Sequence, residues 1–178
     1  MPRQIVLLRG INLASRNRVG MADLRELLAS DGYEDVRTHL QSGNVVLSSR
    51  LSSRRLTGAL EPRLRERFGF DIGVVVRTRA ELQRIVELDP LRQVATNRSR
   101  YLVTFLSERL PAKVARELDA LDVAPERVVV SGREIYAWHP AGLQRSKLAR
   151  LLSDDRLGVA ATTRNWNTVT KLAELVGA

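Results

Sequence analysis

The amino-acid sequence predicts an α+β chain of 178 residues in two halves, the first running in the order β-α-β-β-α-β and the second repeating most of it. Three observations predict it. Short apolar runs of strand length alternate with leucines at helical spacing, glycine-bearing polar turns separate neighbouring strands, and the order read over 1–78 largely returns over 91–178. Ile5 to Leu8 is the apolar run of a buried strand. Met21, Leu24, Leu27 and Leu28 then recur at helical spacing, with Gly32 where a left-handed C-terminal cap belongs. Val36 to Leu40 and Asn44 to Ser48 read as strands around Gln41-Ser42-Gly43. Leu56, Leu60, Leu64 and Phe68 recur every four residues, Gly69 closes that helix, and Ile72 to Val76 supplies a β-branched strand.

Thr78-Arg79-Ala80-Glu81 has capping-box spacing and opens a connecting helix over 79–90 that carries Leu82, Ile85 and Val86 and stops before Pro90. In the second half, 91–178, Tyr101 to Leu106 is a strand with Tyr101, Val103 and Phe105 on one face. Pro111 suits the first turn of a helix through Val114, Leu118 and Leu121. Arg127 to Val130 and Glu134 to Trp138 flank Ser131-Gly132 as a tight hairpin. Ser146 caps a helix bearing Leu148, Leu151 and Leu152. Where a closing strand belongs, the pattern gives an extra helix with Val169, Leu172 and Leu175 on one face, so this half is modified at its C-terminal end. The shared order is the ferredoxin-like one, with antiparallel sheets and right-handed crossovers that put the helices on one face. One continuous sheet through both halves is the alternative.

Composition narrows the class. With 44% hydrophobic and 28% charged residues the chain can bury a core. No apolar run nears the ~20 residues of a membrane span, and Met1-Pro2-Arg3-Gln4 enters a strand with no targeting pattern. A soluble cytoplasmic protein without membrane contact is expected. The absence of cysteine removes disulfides, thiolate nucleophiles and cysteine-bound zinc together. His39 and His139 stand in no cluster of metal-ligand spacing, and no G-x-S-x-G elbow is present, so neither a metal nor another cofactor is expected. Asp154-Asp155 are adjacent and do not face each other on a helix, which makes them surface carboxylates. The net charge of +9 suits a nucleic-acid binder. However, 26 of the 29 basic residues are arginine and they are evenly spread, as a GC-rich coding background also produces.

Polar residues beyond structural need gather in four places. The loop after the first strand carries Arg9, Asn12, Arg16, Asn17 and Arg18, with Gly10 allowing close backbone approach; such a set suits an anion or merely a solvated loop. Gln41, Ser42 and Asn44 lie at the first hairpin, which the topology brings beside that loop, although Gly43-Asn44 also serves the turn. Ser146 and Lys147 can hold a phosphate at a helix start or simply cap it. Thr162 to Thr168 is the most unusual stretch: Thr162 or Thr163 caps the last helix, while Arg164, Asn165 and Asn167 crowd its first turn beyond what capping needs. Trp166 stacks on a base or sugar, or packs in the core.

Leu8-Arg9-Gly10-Ile11-Asn12, Met21-Ala22-Asp23-Leu24-Arg25, Gln41-Ser42-Gly43-Asn44-Val45-Val46, Ser146-Lys147-Leu148 and Thr163-Arg164-Asn165-Trp166-Asn167-Thr168-Val169 with Lys171-Leu172 together resemble the bacterial domain-of-unknown-function 1697 family over essentially the whole chain. The resemblance implies two ferredoxin-like halves and no established activity, cofactor or catalytic residue. The functional expectation is therefore built on the residues. Arg9, Arg16, Arg18, Lys147 and Arg164 supply charge, and Asn12, Gln41, Asn44, Asn165 and Asn167 directional hydrogen bonds, to an anionic ligand in a common cleft, either nucleic acid or a phosphorylated small molecule. The alternatives are an enzyme acting on a small phosphate- or carboxylate-bearing substrate, with Ser42, Ser146 or Lys147 as nucleophile or acid–base group, and an interaction protein that works as a homo-oligomer.

Overall fold

In the computed structural model, which describes residues 1–178, strand β1 (Arg3–Leu8) leads into helix α1 (Met21–Ser30), strands β2 (Glu34–His39) and β3 (Asn44–Ser48), helix α2 (Ser53–Phe68), strand β4 (Val74–Thr78) and helix α3 (Arg79–Leu88). The second series is β5 (Tyr101–Leu106), α4 (Ala112–Asp119), β6 (Arg127–Ser131), β7 (Glu134–Trp138), two short helices α5 (Lys147–Leu151) and α6 (Asp154–Leu157), β8 (Ala161–Asn165) and α7 (Trp166–Gly177). Two four-stranded antiparallel sheets result, ordered β2-β3-β1-β4 and β6-β7-β5-β8. This is the ferredoxin-like order, twice. The alternative of a single sheet is not met.

Compactness divides the chain into Met1–Ile85 with Lys171–Ala178, and Val86–Thr170. The expected boundaries keep the whole C-terminal helix with the second half, whereas its last eight residues group with the first.

Local chemistry explains the elements of the first unit. The four buried residues of α1 are Met21, Leu24, Leu27 and Leu28, the ones at helical spacing. Beyond it Gly32 takes φ 89°, and the Tyr33 amide reaches back to the Leu28 carbonyl in a Schellman-type end. Ser52 caps α2 by accepting from the Arg55 amide, and Gly69 (φ 83°) ends it. Leu56, Leu60 and Leu64 pack with Leu24, Val6, Val45 and Val76 in one core. Each such side chain removed from water contributes about 1.5–3 kcal/mol. On the surface Arg63 grips the Asp31 carboxylate through two hydrogen bonds of 2.8 and 2.9 Å, which holds that carboxyl below its usual pKa. Water screens the exposed pair, so it adds little to stability. The Thr78–Glu81 capping box forms as its spacing predicts: the Thr78 amide donates to Glu81 at 2.8 Å, and the Glu81 amide donates to Thr78 Oγ1 at 3.2 Å.

The second unit departs from expectation in two places. Residues 161–165 form the closing strand β8, paired with β5, and not the start of the last helix. The cap of α7 is accordingly Asn165, whose Oδ1 accepts from the Thr168 amide at 3.0 Å, and not Thr162 or Thr163. The helix expected after Ser146 breaks at Ser153 into α5 and α6, with Asp154 and Asp155 in the first turn of α6, where the helix dipole favours carboxylates. The extra C-terminal helix thereby gains a counterpart. In both halves a closing strand carries a buried arginine opposite the third residue of the first strand, Arg77 facing Ile5 and Arg164 facing Val103. A polar cap, Thr78 or Asn165, then starts a helix. The connecting helix α3 and the extra helix α7 are the same element of a β-α-β-β-α-β-α repeat.

Candidate functional site

In the first unit β1 and β2 both run antiparallel to β3, so their C-terminal ends emerge at one end of the sheet. The loop 9–20 and the turn 40–43 meet there. Asn12 is the clasp. Its Nδ2 donates to the carbonyls of Gln41 (2.6 Å) and Val19 (3.0 Å), while its Oδ1 accepts from the Val19 amide at 2.9 Å. The Asn12 amide donates to the Asn17 carbonyl and the Arg16 amide to the Leu13 carbonyl, which makes 12–17 a small hairpin. Asn17 Nδ2 ties it to the Gly10 carbonyl at 3.0 Å. Asn12 and Asn17 sit at φ 51° and 53°, where asparagine is better tolerated than most side chains, and Ala14 at 49° is strained. Ile11 and Val19 anchor the loop in the core. Replacing Asn12 by alanine is expected to destabilise the fold by about 1–3 kcal/mol and to speed proteolysis within 12–18, because three backbone groups lose their partner; unchanged cleavage would remove its role as clasp.

The twelve expected ligand groups fare unequally. Arg16 stands exposed on the hairpin and Arg18 just beyond it, and their guanidinium groups bond nothing in the protein. Arg9 is half-buried beside Gly73 at a cavity of about 1000 Å³ that also exposes Arg65, Glu61, Glu66 and Asp71. That cavity mixes charge: Arg65 pairs with Asp71 at 3.3 Å, and Glu61 accepts from the Val74 amide at 3.1 Å. Gln41 and Ser42 are exposed on the turn. Asn44 does not face a ligand as expected; it is buried, with Nδ2 donating to the His39 carbonyl (2.7 Å) and Ser42 Oγ (2.9 Å), because a strand start inside the core has to satisfy its polar head internally.

In the second unit Ser146 requires the same correction. Its Oγ is buried, accepts from the Ala149 amide, donates to Glu126 and lies 2.8 Å from His139 Nδ1. A histidine beside a serine resembles a nucleophile and its base, yet every bonding position of this hydroxyl is used. Burial pushes the His139 pKa down. Lys147 is exposed, with its amide held by Glu126 at 3.2 Å. Arg164 is not in a helical first turn but buried in β8, donating to Thr162 Oγ1 (2.8 Å) and the Thr163 carbonyl (2.9 Å), and burial lowers its pKa to about 10. Asn165 is spent on capping, and Asn167 is exposed with Nδ2 on Ser99 Oγ at 3.3 Å. Trp166 stacks on Tyr101 at 4.6 Å and 15°, inside the core and not on a ligand surface. No group of three His, Cys, Asp or Glu side chains suits a metal, and no helix is long and apolar enough to cross a membrane. Glu126, and a cavity near Arg3, Ser52 and Arg79, escape sequence reasoning. The matching caps Ser52 and Ser146 in the two halves are the available signal.

Fold and site thus define an α+β protein of two ferredoxin-like halves with an ornamented loop on the first. The chain belongs to the family described as protein of unknown function (DUF1697), which it matches over residues 1–136. It is also similar to the solved structure of the conserved bacterial protein SP0830 from Streptococcus pneumoniae, with 23% identity, a TM-score of 0.80 and 98% of each chain covered. That likeness concerns the fold. No curated protein matches the chain.

Proposed function

We propose that the loop 9–20 and the turn 40–43 of the first unit form a binding edge for the phosphate chain of a nucleic acid. The observation that carries this reading is the inequality of the two halves. Between β5 and α4 the second half makes the equivalent connection with five residues, Ser107–Pro111, whereas the first half uses twelve, Arg9–Gly20. The fold does not need the longer loop. It is nevertheless clasped by Asn12 and holds a strained Ala14, and such strain persists where the surroundings over-determine it, often at functional sites. Its charge is single-signed: Arg9, Arg16 and Arg18 have no acidic residue among 9–20 or 40–43. Arg16 and Arg18 are exposed on this loop, within reach of an extended polyanion, and the net charge of +9 favours encounter.

Titration of a fluorescent single-stranded oligonucleotide at several salt concentrations tests it. Binding is expected to weaken steeply with salt, and Arg16→Ala with Arg18→Ala should lower the log–log slope by about 1–1.5, two phosphate contacts being lost. Undetectable binding at low salt, or a slope that the double variant leaves alone, rejects the reading.

A further inference from the structure

We propose that the free edge of strand β6 pairs antiparallel with β6 of a second copy of this chain, across a two-fold axis at Val129. The internal repeat isolates this edge. Each sheet ends on two edge strands, β2 and β4 in the first and β6 and β8 in the second. Three of the four carry a device that discourages pairing with another chain. In β2 the register breaks between Glu34 and Arg37, Asp35 takes φ 53°, and Glu34, Asp35 and Arg37 are charged. Strands β4 and β8 each hold a buried arginine, Arg77 and Arg164. Strand β6 is the counterpart of β2 in the repeat, yet it reads Arg-Val-Val-Val-Ser in unbroken register with β7, without proline and without charge after its first residue.

The register decides which backbone groups are offered. Gly132 (φ 61°) and Arg133 make a two-residue turn, so Ser131 and Glu134 form a hydrogen-bonded pair and bonded pairs alternate from there. The backbones of Arg127, Val129 and Ser131 thus face β7, while the amides and carbonyls of Val128 and Val130 face outward. None of these outward groups has a partner in the chain. An antiparallel copy centred on Val129 sets Val128 of each chain opposite Val130 of the other, two bonded pairs that satisfy the outward groups of both copies at once. The Val128 and Val130 side chains already pack against the core of Leu106, Leu118 and Ile135, and the pairing continues that apolar face into the second copy. On the other face the charges are complementary. Exposed Arg127, which has no partner in the chain, comes opposite Ser131 of the second copy, and Glu134 stands next to that serine on β7. Two strand spacings, roughly 10 Å, separate the backbones, a span that an arginine and a glutamate bridge together. Symmetry makes two such pairs. An unrelated peptide would fill the backbone positions but lack this match, so the occupant is a second copy.

Sedimentation velocity of the whole chain from micromolar to several hundred micromolar tests the proposal, with amide hydrogen exchange at both ends of that range. A short edge lies at the low end of interface sizes, so a reversible dimer with a dissociation constant of about 10–100 μM is expected. The Val128 and Val130 amides should exchange more slowly in the dimer, while those of β2 keep their rates. Val129→Lys, which sets two ammonium groups face to face on the axis, should give a monomer with an unchanged circular-dichroism spectrum and urea midpoint. Arg127→Glu should weaken the dimer about tenfold, and adding Glu134→Arg should restore it, a rescue that a role inside one chain would not give. The charge reversal and the exchange rates decide the matter should Val129→Lys disturb the fold. A monomer throughout the range, a dimer that survives Val129→Lys, a charge reversal without rescue, or Val128 and Val130 amides that exchange at the monomer's rate overturns the proposal.

Discussion

Replacing Gly43 by alanine is expected to destabilise the first unit by about 2–5 kcal/mol, because two independent costs fall on one atom. Gly43 lies in the turn before β3 at φ 83°, a left-handed conformation that costs an L side chain about 1–2 kcal/mol. A Cβ there would also stand 2.7 Å from Ile11 Cδ1 and 2.8 Å from Leu8 Cβ. Ile11 can swing away at a packing cost, but Leu8 Cβ is fixed to β1, where the Leu8 amide donates to the Gly43 carbonyl at 2.8 Å. Overpacking of this kind costs about 1–3 kcal/mol more. Gly10 offers the control: it has φ 65° but nothing within 4 Å of where a Cβ would stand, so alanine there should carry the conformational cost alone. Urea unfolding of both variants separates the two costs. If Gly43→Ala costs no more than Gly10→Ala, the close packing of loop against turn is not what secures this end of the sheet.

The legible parts of this chain are those in which burial and apolar character coincide. The leucines of α1 and α2, the apolar run of β1 and the Gly32 and Gly69 helix ends carry their own explanation. The Thr78–Glu81 box is legible from four letters, since its two bonds are local. Strand β8 is hidden because its inward positions are Thr162 and Arg164, so a buried face reads as polar. Strand β4 runs on to Arg77 and Thr78 past its last valine for a similar reason. The candidate site is legible only as far as topology reaches. Two strands leaving β3 on either side place loop 9–20 beside turn 40–43, but periodicity does not tell which polar atoms the protein spends on itself. Asn44, Ser146 and Asn165 look like ligand groups in the sequence and are structural bonds in the fold. Glu126 is illegible because its partners lie twenty residues and more downstream.

Removing that carboxylate is the second large effect expected, and it carries a pH signature. Glu126→Ala leaves the Ser146 hydroxyl and the Lys147 and Leu148 amides without their acceptor, at a cost of about 2–4 kcal/mol in a half-covered site. Proton accounting then fixes His139. The single proton of Ser146 Oγ goes to Glu126 and one lone pair accepts from the Ala149 amide, so the remaining lone pair takes a proton from Nδ1, 2.8 Å away. Nδ1 therefore carries a proton directed at Ser146 Oγ. Burial, the larger influence, holds its pKa below the usual value, against the opposing pull of the Glu126 carboxylate 3.8 Å away. With the folded pKa depressed, the unfolded chain binds more protons as the medium acidifies. The stability linked to His139 is thus fully present above about pH 6.5 and is lost as pH falls through the folded value. In Glu126→Gln the opposing carboxylate is gone, the folded pKa falls further, and the acid-induced loss deepens by the same linkage. His139→Gln should flatten this part of the profile. Chemical denaturation of the three proteins between about pH 7.5 and 5 decides it: parallel curves for Glu126→Gln and the parent chain would show that the two groups do not sense each other, and the capping role of Glu126 would then have to stand on the alanine variant alone.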